Sequence, residues 1–199
     1  MATLLSIQSS LFGEQGQSSS LSRQFVQRWL KANPGSHIIE RDLAAVPVPH
    51  LDLKRFQAFI TPVHERTAEQ QEYAALSDAL IDELKAADVL VLGVPMYNFS
   101  VPSVLRAYFD HVARAGITFR YTSTGSEGLL TDKKAYVFAT RGGFYGDDHS
   151  QSDYLRQFLA FIGITDVEFV YAEGLAINEQ AKLTGINAAQ EKISSLLAA

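Results

Sequence analysis

Residues 87–99 have the sequence ADVLVLGVPMYNF, and this stretch decides the fold. Its first half, Val89 to Val94, is an apolar run rich in β-branched residues, which is typical of a strand buried on both faces of a parallel sheet. Pro95 ends the strand because proline has no N–H to donate to a neighbouring strand. Ligands of open α/β sheets bind beyond the carboxyl ends of the strands. Met96 to Phe99 therefore lies where a ligand site is expected, and its side chains suit a flat aromatic ligand.

The composition of the 199-residue chain excludes several classes of protein. It contains no cysteine, so disulfide scaffolds, thiolate metal sites and thiol catalysis are ruled out. The net charge is −5 and no basic patch stands out, which argues against a nucleic-acid partner. No run reaches the roughly 18 apolar residues of a membrane span, and Met1 to Ile7 has the pattern of a first strand, not of a signal peptide. We therefore expect a cytoplasmic protein without membrane contact.

Strand-like and helical segments alternate along the chain. Apolar runs predict five strands, at 3–7, 37–40, 89–94, 134–140 and 167–171. Apolar residues at helical spacing predict helices near 21–30, 67–84, 101–115, 154–162 and 180–197. This alternation predicts one α/β domain over residues 1–199, with helices on both faces of a doubly wound parallel sheet. Of the two common orders of such sheets, five strands favour the flavodoxin-like order 2-1-3-4-5.

Two segments do not fit the simple alternation. Leu51 to Thr67 is either a short helix or a folded-over loop, and it is followed by a possible capping box at Thr67 and Gln70. Ile117 to Tyr121 has an extended pattern, and Thr122 to Gly128 is expected to be a turn-rich loop.

Two further loops at strand ends carry residues suited to a ligand. Ser9 to Ser20 combines hydroxyl groups and glycines ahead of a helix, which favours a phosphate at the helix N-terminus. It matches neither the dinucleotide nor the Walker glycine motif, so a phosphomonoester such as that of FMN fits better than a nucleoside triphosphate. Thr140 to Gly143 ends in two glycines, which allow the backbone to approach a flat ring. Each loop also has an alternative interpretation without a ligand. Ser9 to Ser20 would then be a serine-rich loop with an ordinary helix cap, Thr140 to Gly143 a tight turn, and Met96 to Phe99 a loop packed in the core.

The five histidines have no metal-ligand spacing, and the chain has no Gly-x-Ser-x-Gly motif of an α/β-hydrolase. We therefore assign neither a metal site nor a catalytic side chain. A flavin would account for this pattern, since it carries out redox chemistry itself and needs from the protein only binding, orientation and electrostatics.

Several longer motifs occur in order along nearly the whole chain. They are Gln8–Ser10, Ser77–Asp78, Glu83–Ala86, Pro95–Phe99, Val112–Thr122, Arg141–Gly143 and Phe161–Asp166. In this combination the sequence resembles the FMN-dependent NADH-azoreductase family, whose members also act on quinones. Such a set of motifs is far more specific than any single glycine loop.

The resemblance implies a flavodoxin-like homodimer with two FMN sites at the subunit interface. It assigns the phosphate to Ser10, Gln17 and Ser18, with Gly16 contributing its backbone where family members often carry a serine. The residues implied to line the ribityl chain and isoalloxazine are Met96, Tyr97, Asn98 and Phe99. Those implied to border the pyrimidine side of the ring are Thr140, Arg141, Gly142 and Gly143, with Thr140 standing where relatives often have serine.

For the substrate site the resemblance implies Asn98 and Phe99 from one subunit. Phe119 and Tyr121 would reach towards the partner subunit's flavin and wall its substrate site, with strand packing as their alternative role. The loop 144–149 differs most among relatives, and we expect it to influence substrate choice without assigning a role to any residue.

The activity implied by the resemblance is that of an FMN-dependent NADH:quinone oxidoreductase and NADH-azoreductase working by a ping-pong mechanism. A hydride passes from NADH to FMN, NAD leaves, and a flat aromatic acceptor then takes the hydride. One round converts a quinone to its hydroquinone, and two rounds cleave an azo compound to two amines. The choice between NADH and NADPH stays open. A flavodoxin-type one-electron carrier without NADH turnover and a non-catalytic regulatory domain are the alternatives; carriers are usually far more acidic than a net charge of −5.

Overall fold

The central sheet of the computed structural model, which describes residues 1–198, consists of five parallel strands. In chain order the strands are β1 (Thr3–Gln8), β2 (His37–Asp42), β3 (Val89–Pro95), β4 (Phe119–Thr122), β5 (Gly125–Gly128), β6 (Lys134–Thr140) and β7 (Asp166–Ala172). The sheet has the order β2-β1-β3-β6-β7, while β4 and β5 form a separate antiparallel hairpin. Among the sheet strands alone this is the order 2-1-3-4-5, so the predicted flavodoxin-like topology is confirmed.

Helices cover both faces of the sheet, as predicted. They are α1 (Gln17–Ala32), α2 (Leu53–Ile60), α3 (Ala68–Ala86), α4 (Ser103–Val112), α5 (Ser150–Ile162) and α6 (Glu179–Ala198). Buried side chains of α1 and α6 form a core with one face, and those of α3, α4 and α5 form a larger core with the other. Within residues 1–198, no helix combines the length and apolarity needed to span a bilayer.

The strand β3 lies in the middle of the sheet and is buried on both faces. Val91 belongs to the core under α1 and α6, whereas Leu90 and Leu92 belong to the opposite core. Because both faces meet apolar side chains, the strand has no polar alternation, which explains its continuous hydrophobic run.

The register of the parallel strands brings their carboxyl ends to one edge of the sheet. Gln8 at the end of β1 pairs with Gly93 of β3. Pro95 at the end of β3 pairs with Thr140 at the end of β6. The three candidate ligand loops therefore leave the sheet side by side.

Segment 51–67 contains the short helix α2, so the first of its two predicted forms is confirmed. Its N-terminus is capped by Asp52, whose carboxylate accepts the Arg55 N–H at 2.9 Å. The predicted capping box of α3 is also present: the Gln70 N–H bonds the Thr67 hydroxyl, and the Gln70 side chain accepts the Thr67 N–H.

The prediction of a turn-rich loop at Thr122 to Gly128 is wrong, because these residues form the turn and second strand of the β4–β5 hairpin. The two strands are joined by an ion pair in which Arg120 Nε lies 2.8 Å from Glu127 Oε2. Gly128 packs against the end of α5, where a Cβ on it would lie 2.0 Å from the Gly163 nitrogen. The strand is polar and its position depends on a distant segment, so it lacks the apolar alternation that identifies strands from sequence.

The segment between β2 and α3 is attached to α4 through His111. The imidazole Nε2 lies 3.0 Å from the Pro49 carbonyl oxygen, which can only accept, so Nε2 carries the proton of the neutral ring. The buried Nδ1 has no hydrogen-bond partner in the described part of the chain. Phe59 of α2 packs edge-on against the imidazole at 5.5 Å between ring centroids.

Acid is expected to weaken the fold through His111. Burial lowers the pKa of this imidazole below its ordinary value of 6.5. The unfolded chain therefore takes up the proton at a higher pH than the folded protein. The free energy of unfolding should fall as the pH drops below about 6.5, by at most about 1.4 kcal/mol per pH unit for this group.

Denaturant unfolding of the wild type and of His111→Gln between about pH 7 and about pH 5 measures this effect. Glutamine keeps an N–H donor for the Pro49 carbonyl but does not titrate. The wild type should lose stability more steeply than the variant, and equal slopes in the two proteins would contradict the prediction.

Candidate functional site

The first loop of the site ends at the N-terminus of α1. Gly16 is the N-cap residue, and no side chain within residues 1–198 caps this helix end. The hydroxyl groups of Ser18 and Ser19 are buried there and have no hydrogen-bond partner among the described residues. Unpaired donors and the positive end of the helix dipole together favour an anion. This end of the site therefore fits the phosphate of the FMN predicted from the sequence.

The side chain of Ser10 packs closely against Gly16. A Cβ on Gly16 would lie 2.2 Å from the Ser10 hydroxyl oxygen and 2.7 Å from its Cβ. The same hydroxyl accepts the N–H of Phe12 at 3.2 Å, which fixes the turn of the loop. Ser10 and Gly16 thus form one side of the cradle in front of Ser18.

The second loop is a tight hairpin carried on the end of β3. Tyr97 and Ser100 exchange two backbone hydrogen bonds of 3.0 Å each. The two residues between them, Asn98 and Phe99, have φ angles of 49° and 63°. Positive φ at both central positions is typical of a type I′ turn, and it is strained for residues other than glycine. The turn exposes Asn98 and leaves 65% of Phe99 accessible at the edge of the sheet.

Hydrogen bonds join the three loops to one another. The hydroxyl oxygen of Tyr97 accepts the Leu11 N–H at 3.2 Å and lies 3.4 Å from the Ser10 hydroxyl. The Met96 N–H bonds the Thr140 carbonyl at 2.8 Å. The structure therefore brings the predicted phosphate loop, aromatic loop and glycine loop into one continuous surface.

The glycine loop after β6 is supported from behind by the segment that follows β7. The Gly143 carbonyl accepts the Gly174 N–H at 2.9 Å, and the Gly142 carbonyl accepts the Ala176 N–H at 3.0 Å. A Cβ on Gly142 would lie 3.2 Å from the Ala176 Cβ, and one on Gly143 would lie 3.1 Å from the Tyr145 ring, so the missing side chains let Ala176 and Tyr145 pack closely against this loop.

The side chain of Arg141 points into the protein. The guanidinium is fully buried, with Nε bonded to Gln151 Oε1 at 3.0 Å and Nη2 to the Ser152 hydroxyl at 2.6 Å. Nη1 bonds Glu173 Oε1 at 3.0 Å and the Gly146 carbonyl. Arg141 can therefore offer a ligand its backbone, while its charge is used inside the protein.

Tyr171 extends this network towards the surface. Its hydroxyl lies 2.9 Å from the Ser152 hydroxyl and donates to the Asp147 carboxylate, which also pairs with Arg156. Burial and the bond to Asp147 raise the pKa of Tyr171 to about 12. The bonds from Tyr171 and Arg156 lower the pKa of the Asp147 carboxyl. At neutral pH the neutral phenol of Tyr171 therefore donates a hydrogen bond to the ionised carboxylate of Asp147.

The predicted substrate residues fall into two places. Asn98 and Phe99 lie with the cofactor loops, whereas Phe119 and Tyr121 lie in the hairpin and line a separate groove of about 590 Å³. Phe119 is buried against Phe161 at 4.2 Å between centroids, which is the strand packing considered as its alternative. Tyr121 is 76% exposed. Contact of either residue with a substrate remains a prediction.

Sequence reasoning missed three residues that the structure places at or behind these loops. Ser19 continues the serine run and could have been included with Ser18 on that ground. Tyr145 packs edge-on against Phe99 at 6.2 Å between centroids. Glu173 lies beyond the last strand, and no local signal connects it with Arg141.

Comparison with known proteins first identifies the class. A family model described as a flavodoxin-like fold (Flavodoxin_2) matches residues 2–197, so the chain belongs to this flavodoxin-like family.

Within this family, the chain is similar to FMN-dependent NADH:quinone oxidoreductases and to azoreductases of known structure. The FMN-dependent NADH:quinone oxidoreductase of Cellvibrio japonicus is 56% identical over 182 residues, covering 90% of this chain and 92% of the relative. FMN-dependent NADH:quinone oxidoreductase 6 of Burkholderia lata is 47% identical, covering 98% of this chain and 100% of the relative. A crystal structure of azoreductase from Bacillus anthracis matches with a TM-score of 0.90 at 27% identity, over 99% of both chains. An FMN-dependent NADH-azoreductase from that organism, solved in complex with FMN, matches with a TM-score of 0.87 at 26% identity, over 99% of this chain and 100% of that chain. The family predicted from the sequence is confirmed.

The two unpartnered hydroxyls predict opposite effects on stability and on cofactor binding. A buried hydroxyl without a partner costs the FMN-free protein about 1–3 kcal/mol, so Ser18→Ala and Ser19→Ala should raise its melting temperature. The same changes should weaken FMN binding by about tenfold or more, because a hydrogen bond to a charged phosphate is lost. Thermal denaturation of the apoprotein and fluorescence titration with FMN measure the two effects.

Ser22→Ala is the matched control on the same helix. Its hydroxyl already bonds Gln8 Oε1 at 3.1 Å and the Ser19 carbonyl, so its loss should destabilise the apoprotein. If Ser18→Ala and Ser19→Ala both lower the melting temperature and leave FMN affinity unchanged, the phosphate assignment is wrong.

Proposed function

We propose that this protein reduces quinones to hydroquinones with NADH and cleaves azo compounds to aromatic amines, by a ping-pong mechanism at bound FMN. The family and the relatives make it an FMN-dependent oxidoreductase with NADH as electron donor. The observation that carries the proposal is the joining of an uncapped helix N-terminus, an exposed aromatic turn and a glycine loop into one surface.

The residues of this surface divide the binding of the cofactor between them. The hydroxyls of Ser10, Ser18 and Ser19, with the backbone at Gly16 and Gln17, would hold the phosphate at the end of α1. The hairpin of Met96 to Phe99 would follow the ribityl chain and the ring. Thr140 and the backbone of 141–143 would border the far end of the ring, since these residues lie next to Met96 through the 2.8 Å hydrogen bond of its N–H.

Bound FMN would supply the two-electron chemistry, in which a hydride originating from NADH and a proton from solvent together reduce a quinone to its hydroquinone after NAD has left. The protein's contribution is to present one face of the ring beside Asn98 and the exposed ring of Phe99, where nicotinamide and acceptor would stack in turn. A site that selects by flatness accommodates both quinones and azo compounds, and two rounds at an azo bond consume two NADH and release two amines.

The homodimer is the second part of the proposal. The groove of about 590 Å³ between α2, α4 and the hairpin is lined mainly by apolar side chains, including Phe56, Ile60 and Tyr121. These three side chains are between 49% and 76% exposed, and apolar patches of this kind mark protein interaction sites. A second copy of the chain would cover the groove and place Tyr121 beside the partner subunit's FMN. We also propose that residues 1–199 act as one domain in the cytoplasm, where both NADH and NADPH are available as electron donors.

A one-electron flavodoxin-type carrier would bind FMN through the same loops. The 65% exposure of Phe99 favours the oxidoreductase, because a nicotinamide could then approach a ring bound beside this turn. A carrier depends on a partner reductase, so reduction by NADH alone separates the two functions.

Purified protein is expected to show the absorption spectrum of oxidised FMN and to lose it rapidly when NADH is added without oxygen. Addition of menadione or methyl red should restore the spectrum with release of hydroquinone or amines. Initial rates over a matrix of NADH and menadione concentrations should give parallel double-reciprocal lines, which is the kinetic pattern of a ping-pong mechanism. Protein that binds FMN but is reduced only through an added reductase would establish the carrier instead.

Tyr121→Ala is expected to raise the Michaelis constant for menadione by about tenfold while leaving the FMN content per chain unchanged, because an aromatic wall is lost at an exposed position. Tyr121→Phe is the matched control, since it keeps the ring and should retain wild-type constants. Loss of FMN from Tyr121→Ala, with normal kinetics per bound flavin, would contradict the placement of Tyr121 beside the partner subunit's substrate site.

A further inference from the structure

Glu173 joins the buried Arg141 to the loop that follows the glycine pair. Its side chain is 17% exposed, and its Oε1 lies 3.0 Å from Arg141 Nη1. The same oxygen accepts the N–H of Tyr145 at 3.1 Å, and both carboxylate oxygens lie 3.1 Å from the Gly146 nitrogen. Charge-assisted hydrogen bonds of this kind are stronger than neutral ones, so this carboxylate fixes the backbone at 145–146.

The fixed turn is held on a second side by backbone packing. Gly174 has a φ of +71°, and a Cβ on it would lie 2.4 Å from the ring of Phe144. Its N–H also bonds the Gly143 carbonyl at 2.9 Å. The turn 143–146 therefore rests directly on 173–174, and its position follows from that of Glu173.

Arg141 in turn connects this turn to the other loops of the site. Its Nε bonds the Gln151 side chain, whose Nε2 bonds the Pro95 carbonyl at 3.3 Å, immediately before the aromatic hairpin. The buried guanidinium thus sets the position of the turn 143–146 relative to the end of β3. Removing its charged partner would leave Arg141 buried with one fewer acceptor, which is strongly unfavourable.

The side chain held by this arrangement is Tyr145. Its ring stands at 85° to that of Phe99, with 6.2 Å between centroids. On its other side the imidazole of His149 lies 5.0 Å away. Phe99 is 65% and Tyr145 37% exposed, so both rings are accessible at the surface.

We propose that Glu173 is a positioning residue for the reaction: with Arg141 it holds Tyr145 edge-on to Phe99, and the two rings form a rigid wall against which a flat acceptor packs. The inference rests on the proposed function and adds a determinant of acceptor choice to it. A preorganised wall lowers the cost of ordering side chains on binding. It contributes most for acceptors large enough to reach past Phe99, so two-ring quinones and azo compounds depend on it more than p-benzoquinone.

The test compares Glu173→Gln with Glu168→Gln, a matched change on β7. Glu168 pairs with Lys192 at 3.2 Å on the surface, away from the three loops. In the FMN-free protein, amide exchange at Tyr145 and Gly146 should be about tenfold or more faster in Glu173→Gln and unchanged in Glu168→Gln, since an amide nitrogen replaces an accepting oxygen.

In the FMN-loaded enzyme, Glu173→Gln should lower kcat/KM for menadione by about tenfold to a hundredfold and leave p-benzoquinone reduction nearly unchanged. The dissociation constant of FMN should stay within about twofold of the wild type. Tyr145→Ala, at a partly exposed position that tolerates truncation, should reproduce the acceptor-selective loss, whereas Tyr145→Phe should retain wild-type selectivity.

Two outcomes overturn this inference alone: acceptor kinetics that are unchanged in Tyr145→Ala, or a Glu173→Gln defect that lies entirely in FMN affinity. Unchanged amide exchange at Tyr145 and Gly146 in Glu173→Gln also overturns it. A wild-type protein that binds FMN but does not reduce quinones overturns the proposed function, and with it the role of the wall in acceptor choice.

Discussion

The parallel register of β1, β3 and β6 is the constraint on which the rest of the molecule depends. Hydrogen bonding in register makes neighbouring strands end together, and so three loops widely separated in sequence leave the same edge. Hydrogen bonds then join them, as between the Leu11 N–H and the Tyr97 hydroxyl at 3.2 Å. No long loop is needed to assemble the site, because the sheet itself sets the spacing of its parts.

The sheet strands and the three ligand loops could be predicted because their signals are local, whereas the sheet order was inferred from the number of strands. The buried run of β3, the serine loop and the glycine loop can each be recognised from about a dozen residues of sequence. The β4–β5 hairpin could not be predicted, since Gly128 is positioned by contact with Gly163 at the end of α5. The direction of the Arg141 side chain could not be predicted either. Its position next to two glycines suggests a ligand contact, but its ion-pair partner, Glu173, lies 32 residues further along the chain.

Several local costs lie at the edge where the loops meet; others in the described residues lie away from it, at the positive φ of Asp132 and at the unpartnered Tyr108 hydroxyl and His111 Nδ1. Asn98 and Phe99 adopt positive φ, a conformation that costs roughly 1–3 kcal/mol per non-glycine residue. Within residues 1–198 the buried hydroxyls of Ser18 and Ser19 lack partners, whereas the two apolar cores under the helices are continuous. The fold thus maintains a strained and partly unsatisfied edge on a well-packed support, a combination typical of functional sites.

The uncapped N-terminus of α1 also links the amount of folded protein to the supply of flavin. A ligand that binds only the folded state stabilises it by RT ln(1 + [L]/Kd), or about 2.7 kcal/mol at a hundredfold excess over Kd. Newly made chains that meet little free FMN would unfold more often and be degraded faster, since proteolysis acts on the open form. The cellular level of the enzyme would then follow flavin status without any dedicated regulator, through the same helix end to which we assign the phosphate.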